Sequence, residues 1–304
     1  MKTKFPALFL FLLFPLFADI KLPAQIQNKA FIPEEIKKFF RFYPDLEYSA
    51  LYDTEVNDWK IEITADLYFE RTAKPKGKKS AAFYWAGGRL LPKDELKNKG
   101  NYWVLQYNYS NTLRDPKTYT QEEIEQITNF GSAEHRKNAS GTPMFFFDFL
   151  YSADSKIIIE EHIIKTTFLG KATRIHERVY DALKRVEAKI LEESKSDAET
   201  KQFVDSLKSA DAYYWREIAG TKRKSFHSYG IAIDLLPKRL NGKSIYWGWE
   251  KDRVGDKWMM IPLEKRWIPP LKVRSIFEEE GFIWGGYWII FDNMHFEYHP
   301  ELVH

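Results

Sequence analysis

The stretch "SFHSYGIAID", Ser225 to Asp234, places a histidine and an aspartate seven residues apart, with small and apolar residues between them. Gly230 interrupts the run, and the pattern of "IAID" is typical of a β-strand. A turn followed by a strand would carry Asp234 back past His227. The sequence therefore predicts that these two side chains lie close together.

A second fragment, "DNMHFEYH" (Asp292 to His299), places His295 in an alternating pattern that predicts a strand beside the first one. Zinc takes its ligands from histidine, cysteine and carboxylate side chains, and a catalytic site leaves one of four positions for water. The chain has seven histidines and no cysteine. His227, Asp234 and His295 are therefore the candidate zinc ligands, contributed by two neighbouring strands with one position open.

Two further carboxylates lie beside His295 in the sequence. Asp292 is three residues before it, close enough to reach the water at the open position without being a ligand. Such a carboxylate can act as general base and then as proton donor to a leaving amine. Glu297 is two residues after His295 and would share its strand face, where it could orient the imidazole.

The better-known helical zinc motif is absent, because "HERVY" at His176 has Tyr180 where a second histidine is needed. We expect His162 and His176 to be structural or exposed, and His304 is the last residue of the chain. Spacing alone also fits an ordinary core or surface pair at His227 and Asp234, so that alternative stays open here.

Together the two fragments resemble the zinc D-alanyl-D-alanine carboxypeptidase family, which includes vancomycin-resistance dipeptidases and phage L-alanyl-D-glutamate endolysins. The family pattern is S-x-H-x-x-G-x-A-x-D followed by D/E-x-x-H. Seven positions match it: Ser225, His227, Gly230, Ala232, Asp234, Asp292 and His295. The segments "WREIAGT" and "GFIWGGYW" before the two motifs are also similar, and the resemblance covers roughly Phe145 to Glu301.

The resemblance implies a hedgehog-like α+β fold, zinc as cofactor, Asp292 as base and peptidoglycan stem peptides as substrate. It also implies an arginine that holds a substrate carboxylate or carbonyl oxygen and stabilises the oxyanion. Arg216 is the candidate, although a surface ion pair is its alternative role. Arg223 lies nearer His227, but it falls in the basic loop "TKRKS", where a solvated role is expected.

Ser225 either contacts substrate or shapes the turn. An aspartate at the base position resembles the carboxypeptidase and endolysin branches more than the dipeptidase branch, and specificity does not follow from it. The alternative function is a zinc-containing wall-binding module without turnover, which would lack the base or the oxyanion arginine.

The N-terminus, "MKTKFPALFLFLLFPLFADI", combines Lys2 and Lys4 with an apolar run from Phe5 to Phe17 and a small residue, Ala18, for cleavage. This pattern predicts a secretory signal over residues 1–18 and export to the periplasm or cell envelope. Membrane anchoring would follow only if the signal stays uncleaved. The absence of cysteine excludes acylation as a lipoprotein and disulfide bonds.

Composition indicates a folded globular protein, because 44% of the 304 residues are hydrophobic and 16% are aromatic. The formal charge is +3, and loss of two lysines with the signal would leave about +1. Such a balance gives no electrostatic footprint for nucleic acid. We expect a monomer.

The chain reads as α+β: a β-rich region over 19–140, then a zinc peptidase domain over 141–304 with a central antiparallel sheet and flanking helices. The boundary is placed near the polar stretch His135 to Pro143. The N-terminal region could bind glycan, contact an envelope partner or buttress the second domain, and packing is the expected role. Strands are predicted over 59–71, 81–92, 102–110, 144–153 and 155–170, and helices over 33–46, 174–194, 198–210 and 269–281.

Overall fold

The computed structural model describes residues 32–67, 77–221 and 223–303. The predicted signal, residues 1–18, and His304 lie outside these ranges. Within them helices and antiparallel sheets are mixed, so the α+β class is confirmed. No helix in the described ranges has the length and apolar character needed to cross a membrane.

The helices are α1 (Glu34–Arg41), α2 (Gln121–Phe130), α3 (Ala133–Asn138), α4 (Phe145–Leu150), α5 (Lys156–Glu160), α6 (Glu177–Glu193), α7 (Ala198–Ser206), α8 (Trp247–Val254) and α9 (Leu271–Glu279). The strands are β1 (Glu47–Asp53), β2 (Asp58–Asp66), β3 (Lys78–Tyr84), β4 (Ile163–Phe168), β5 (Lys171–His176), β6 (Leu207–Asp211), β7 (Ala232–Pro237), β8 (Phe282–Trp284) and β9 (His295–Tyr298).

The strands form three antiparallel sheets among the described residues. β1, β2 and β3 make a meander in the N-terminal region, and β4 pairs with β5 in a hairpin. The third sheet has four strands in the order β6-β7-β9-β8, so β7 and β9 are its two central strands. This sheet corresponds to the central antiparallel sheet that the sequence predicts for the second half of the chain.

Helix α6 has an apolar face that is buried in the core. Its apolar positions recur at helical spacing, and Val179, Leu183, Val186 and Ile190 are all fully buried, as their periodicity predicts. Helix α9 lies beside the four-stranded sheet, where the ring of Phe277 stacks on Phe296 of β9 at 4.0 Å between centroids.

The buried core runs across the predicted boundary near residue 140. Phe39 and Tyr43 from the N-terminal region contact Phe146 of α4, with ring centroids 5.3 Å and 5.1 Å apart. Ile61 and Ile63 of β2 belong to the same apolar cluster as the residues of the four-stranded sheet. The two-domain division remains a prediction, and the packing joins both parts in one core.

Two strand predictions are wrong, and the one over residues 155–170 is right only for strand β4. Residues 102–110 form no strand: Tyr102 makes a single bridge to Gly141, and Tyr109 donates a hydrogen bond to Glu278 instead of joining a ladder. Residues 144–153 contain helix α4, and residues 155–170 contain helix α5 before strand β4. Short apolar runs such as "FFFDFL" fit a buried helix as well as a strand, because they have no clear period of two.

Candidate metal centre

The register of the two central strands brings Asp234 and His295 together. Asp234 on β7 pairs directly with His295 on β9, and Ile233 pairs with Phe296. Directly opposed residues on one face of an antiparallel pair have closely spaced side chains. The prediction that these two residues come from neighbouring strands is therefore confirmed.

His227 reaches the same place from a 3-10 helix, Phe226–Tyr229, that precedes β7. Gly230 ends this helix with a φ of +65°, in the left-handed region that favours glycine. A Cβ at this position would lie 2.6 Å from Ile163 Cδ1 and 2.9 Å from the backbone nitrogen of His176. The turn at Gly230 thus folds His227 back toward Asp234, as the sequence predicts.

The three side chains converge on one point. His227 Nε2 lies 3.2 Å from His295 Nδ1 and 3.2 Å from Asp234 Oδ2, and His295 Nδ1 lies 2.7 Å from Asp234 Oδ1. All three can offer one ligand atom within 4.8 Å of the others. Bonds of about 2.0–2.1 Å in a tetrahedral zinc site put ligand atoms roughly 3.3 Å apart, so this spacing fits a single metal ion.

The outward nitrogens of both imidazoles have partners that support a metal site. His227 Nδ1 lies 2.5 Å from the carbonyl oxygen of Ala212, and His295 Nε2 lies 2.8 Å from Glu297 Oε1. Histidine ligands characteristically donate their second N–H to a carbonyl or carboxylate, which fixes the tautomer and the ring orientation. The chemistry of the donor set therefore fits zinc, and Glu297 occupies the orienting position predicted for it.

Asp292 lies in a different environment. It is held by backbone hydrogen bonds from its nitrogen to Gly285 and from the His295 nitrogen to its carbonyl. Among the described residues no donor reaches its buried Oδ1 atom. Burial raises the pKa of the Asp292 carboxyl to about 7, opposed by the positive charges of His295 and Arg216. An acceptor with these properties is suited to take a proton from water.

Asp234 shows the opposite shift. Burial would raise its pKa, but the charges and hydrogen bonds of His227 and His295 outweigh burial and lower it well below the usual range. Asp234 is thus an anion over the pH range in which proteins work, as a metal ligand must be.

Arg216, His227 and Asp234 line one cavity of about 600 Å³. The remaining lining residues are Lys165, Thr166, Ala172, Thr173, Arg174, Asp211, Ala212, Tyr213 and Tyr214. The Arg216 side chain is exposed, while its backbone carbonyl accepts hydrogen bonds from the nitrogen of Ser225 and the hydroxyl of Ser228. Arg216 therefore lines the cavity from an anchored backbone.

Ser225 is buried, and its hydroxyl accepts a hydrogen bond from the His227 nitrogen at the start of the 3-10 helix. This contact is the turn-shaping role considered for it. His162 and His176 lie away from the candidate centre, buried with their rings stacked 5.6 Å apart. They are structural, as expected: His162 Nδ1 contacts Glu177 at 2.7 Å.

Sequence reasoning missed the continuation of the second motif. Beyond Glu297, His299 and Glu301 keep the spacing of two and are both buried. His299 Nε2 lies 3.4 Å from Glu297 Oε2, and its Nδ1 lies 2.9 Å from Glu301 Oε1. The alternation of "HFEYHPE" was the available signal. Lys165 and Arg174, two cationic residues of the cavity, belong to no sequence motif and could not be predicted.

Two family models match parts of the chain. The model described as D-alanyl-D-alanine carboxypeptidase matches residues 219–298, which include every candidate ligand and Asp292 but not Arg216. A domain of unknown function matches residues 35–105. No curated protein and no solved structure matches the chain. The first match shows that residues 219–298 are similar to this peptidase family.

Proposed function

We propose that this chain is an exported zinc metallopeptidase that hydrolyses a peptide bond in peptidoglycan stem peptides. The observation that carries the proposal is the convergence of His227, Asp234 and His295, of which the first two line a cavity. Beside His295 in sequence, Asp292 has a buried Oδ1 that no donor among the described residues reaches. The carboxypeptidase match over the same residues supports the reaction class. Export rests on the leader-like sequence at residues 1–18.

His227, Asp234 and His295 would hold the metal. When bound, a divalent cation supplies Lewis-acid polarisation of the scissile carbonyl and makes water more acidic. Asp292 accepts a proton from the attacking water while the water oxygen bonds to the carbonyl carbon. As the carbon–nitrogen bond breaks, Asp292 returns that proton to the leaving amine, so protons and electrons balance. Arg216 stabilises the negative charge on the former carbonyl oxygen.

The charges in the cavity favour a substrate with carboxylates. Lys165 and Arg174 lie opposite each other across the β4–β5 hairpin, and like charges in this position repel. Arg174 is held in place by Tyr213, whose carbonyl accepts its Nη2 at 3.2 Å and whose ring lies 5.0 Å below it. The cavity lining thus has three cationic residues, Lys165, Arg174 and Arg216. Besides Asp234 its acid is Asp211. Stem peptides carry free carboxylates that these cations would attract.

The test is incubation of the purified, zinc-loaded protein with defined muropeptides, with products identified by mass spectrometry. Release of single terminal alanine would assign a carboxypeptidase, and release of larger pieces an endopeptidase. We expect Asp292→Ala to abolish turnover and Arg216→Ala to lower it about 10²–10³-fold, whereas the exposed Arg239→Ala serves as control. No cleavage by the wild type, or undiminished cleavage by Asp292→Ala, would defeat the proposal. Tight muropeptide binding without turnover would instead identify a wall-binding module.

A further inference from the structure

A chain of three buried hydrogen bonds and one ion pair connects the candidate ligand His295 to the N-terminal region. It runs from His295 through Glu297 and His299 to Glu301, whose Oε2 accepts a hydrogen bond from the Tyr43 hydroxyl at 2.6 Å. Tyr43 is 258 residues away from Glu301 in the sequence. It follows helix α1 and falls in the segment that matches the domain of unknown function.

This series of linked side chains lies in a dry environment. Tyr43, His299 and Glu301 are 4%, 4% and 1% exposed, so water cannot replace a lost partner. The rings of Phe147 and Phe226 meet the His299 ring edge to face, at 5.4 Å and 4.5 Å between centroids. Hydrogen bonds in such a low-dielectric setting are strong, and an unpaired group is costly.

The polar atoms of these linked side chains have partners of opposite charge or donor–acceptor type. His299 contacts a carboxylate with each ring nitrogen, so as an imidazolium it donates to Glu297 and Glu301 and balances their charges. Burial lowers the pKa of His299, but the charges of Glu301 and Glu297 outweigh burial and raise it to about 9. Glu297 is then held on both oxygens, by a hydrogen bond with His295 at Oε1 and by an ion pair with His299 at Oε2.

We propose that Tyr43, Glu301 and His299 are positioning residues, which hold the Glu297 carboxylate against His295 and thereby set the affinity of the site for its metal. The N-terminal region is then a structural part of the metal centre, not an independent accessory module. Outer partners of histidine ligands commonly change metal affinity 10–100-fold when they are removed. This inference rests on the proposed function, because it requires that His295 bind a metal.

The experiment compares Tyr43→Phe with Tyr84→Phe in the full chain. Both tyrosines are buried in the N-terminal region and donate to a carboxylate, Tyr84 to Asp53 at 2.7 Å, but only Tyr43 joins the chain. Zinc affinity is measured by competition with a chelator, and unfolding of the metal-free proteins by denaturant. The visible spectrum of the cobalt-loaded proteins reports ligand geometry.

We expect Tyr43→Phe to weaken zinc binding about 10-fold and to alter the cobalt spectrum, with Tyr84→Phe like the wild type in both. Glu301→Gln should weaken binding further, because it also removes the charge that pairs with His299. Equal zinc affinity in Tyr43→Phe and Tyr84→Phe would overturn the inference while leaving the peptidase proposal intact. A wild type that binds no zinc would overturn both.

Discussion

At the scale of single residues, the candidate centre separates two aspartates by their surroundings. Asp234 is paired with two imidazoles, which lower the pKa of its carboxyl. Asp292 is buried, has an oxygen without a partner among the described residues, and has a pKa raised to about 7. Groups pushed apart in this way take different roles in catalysis. These environments support the proposed roles, metal binding for Asp234 and proton transfer for Asp292.

The pKa of Asp292 leads to a prediction about pH. Its carboxyl must be ionised to accept a proton, so kcat/KM should fall as the pH decreases through about 7. A bound cation favours the carboxylate and would move this fall to a lower pH. Asp292→Asn should lower kcat/KM about 10²–10⁴-fold and should remove its fall at low pH. Asp256→Asn, an exposed control, should retain both. A pH profile of Asp292→Asn parallel to that of the wild type would contradict this role.

The candidate ligands could be predicted from the sequence because each of the two short segments fixes its own local geometry. A turn before a strand brings His227 to Asp234, and strand alternation places His295. Tyr43 could not be predicted, because its contact with Glu301 depends on how distant segments pack. The family resemblance predicts an arginine at the site, and the place of Arg216 in the cavity agrees with that prediction.

At the scale of elements, the sequence predicts the long periodic helix α6 and does not predict the short apolar ones. The helix predicted over 198–210 ends at Ser206, where strand β6 begins. Helix α6 has an apolar face over 17 residues, so its pattern is decisive. Helix α4 has six residues, and its burial on Phe146, Phe147 and Leu150 is decided by the neighbours it packs against. Tertiary packing outweighs local pattern in such short segments.

The turn at Gly230 gives a test at this scale. Gly230→Ala should destabilise the fold by about 1–3 kcal/mol and weaken zinc binding, because it adds a clash near Ile163 to a left-handed backbone. Gly170→Ala, at φ +73° with open space around it, isolates the backbone cost alone. Denaturant unfolding and chelator competition measure the two effects. Equal results for both variants would show that close packing at Gly230 does not hold His227.

At the scale of the whole molecule, the core that crosses residue 140 predicts mutual dependence of the two regions. A fragment of residues 141–304 would lose Phe39, Ile61 and Ile63, each worth about 1.5–3 kcal/mol of burial, along with the other N-terminal core residues. This loss is comparable with the whole stability of a domain. We expect no cooperative unfolding transition from the fragment, measured by circular dichroism beside the intact chain. A cooperatively folded, zinc-binding fragment would instead establish an independent domain.

The most direct test of the account is elemental analysis of the natively purified protein and of three single variants. We predict about one zinc per wild-type chain, lost in His295→Ala and Asp234→Ala and kept in His135→Ala, whose ring packs on Phe130 outside the centre. A wild type without bound metal under zinc-replete conditions, or full zinc content in His295→Ala and Asp234→Ala, would contradict the metal centre on which the proposed chemistry depends.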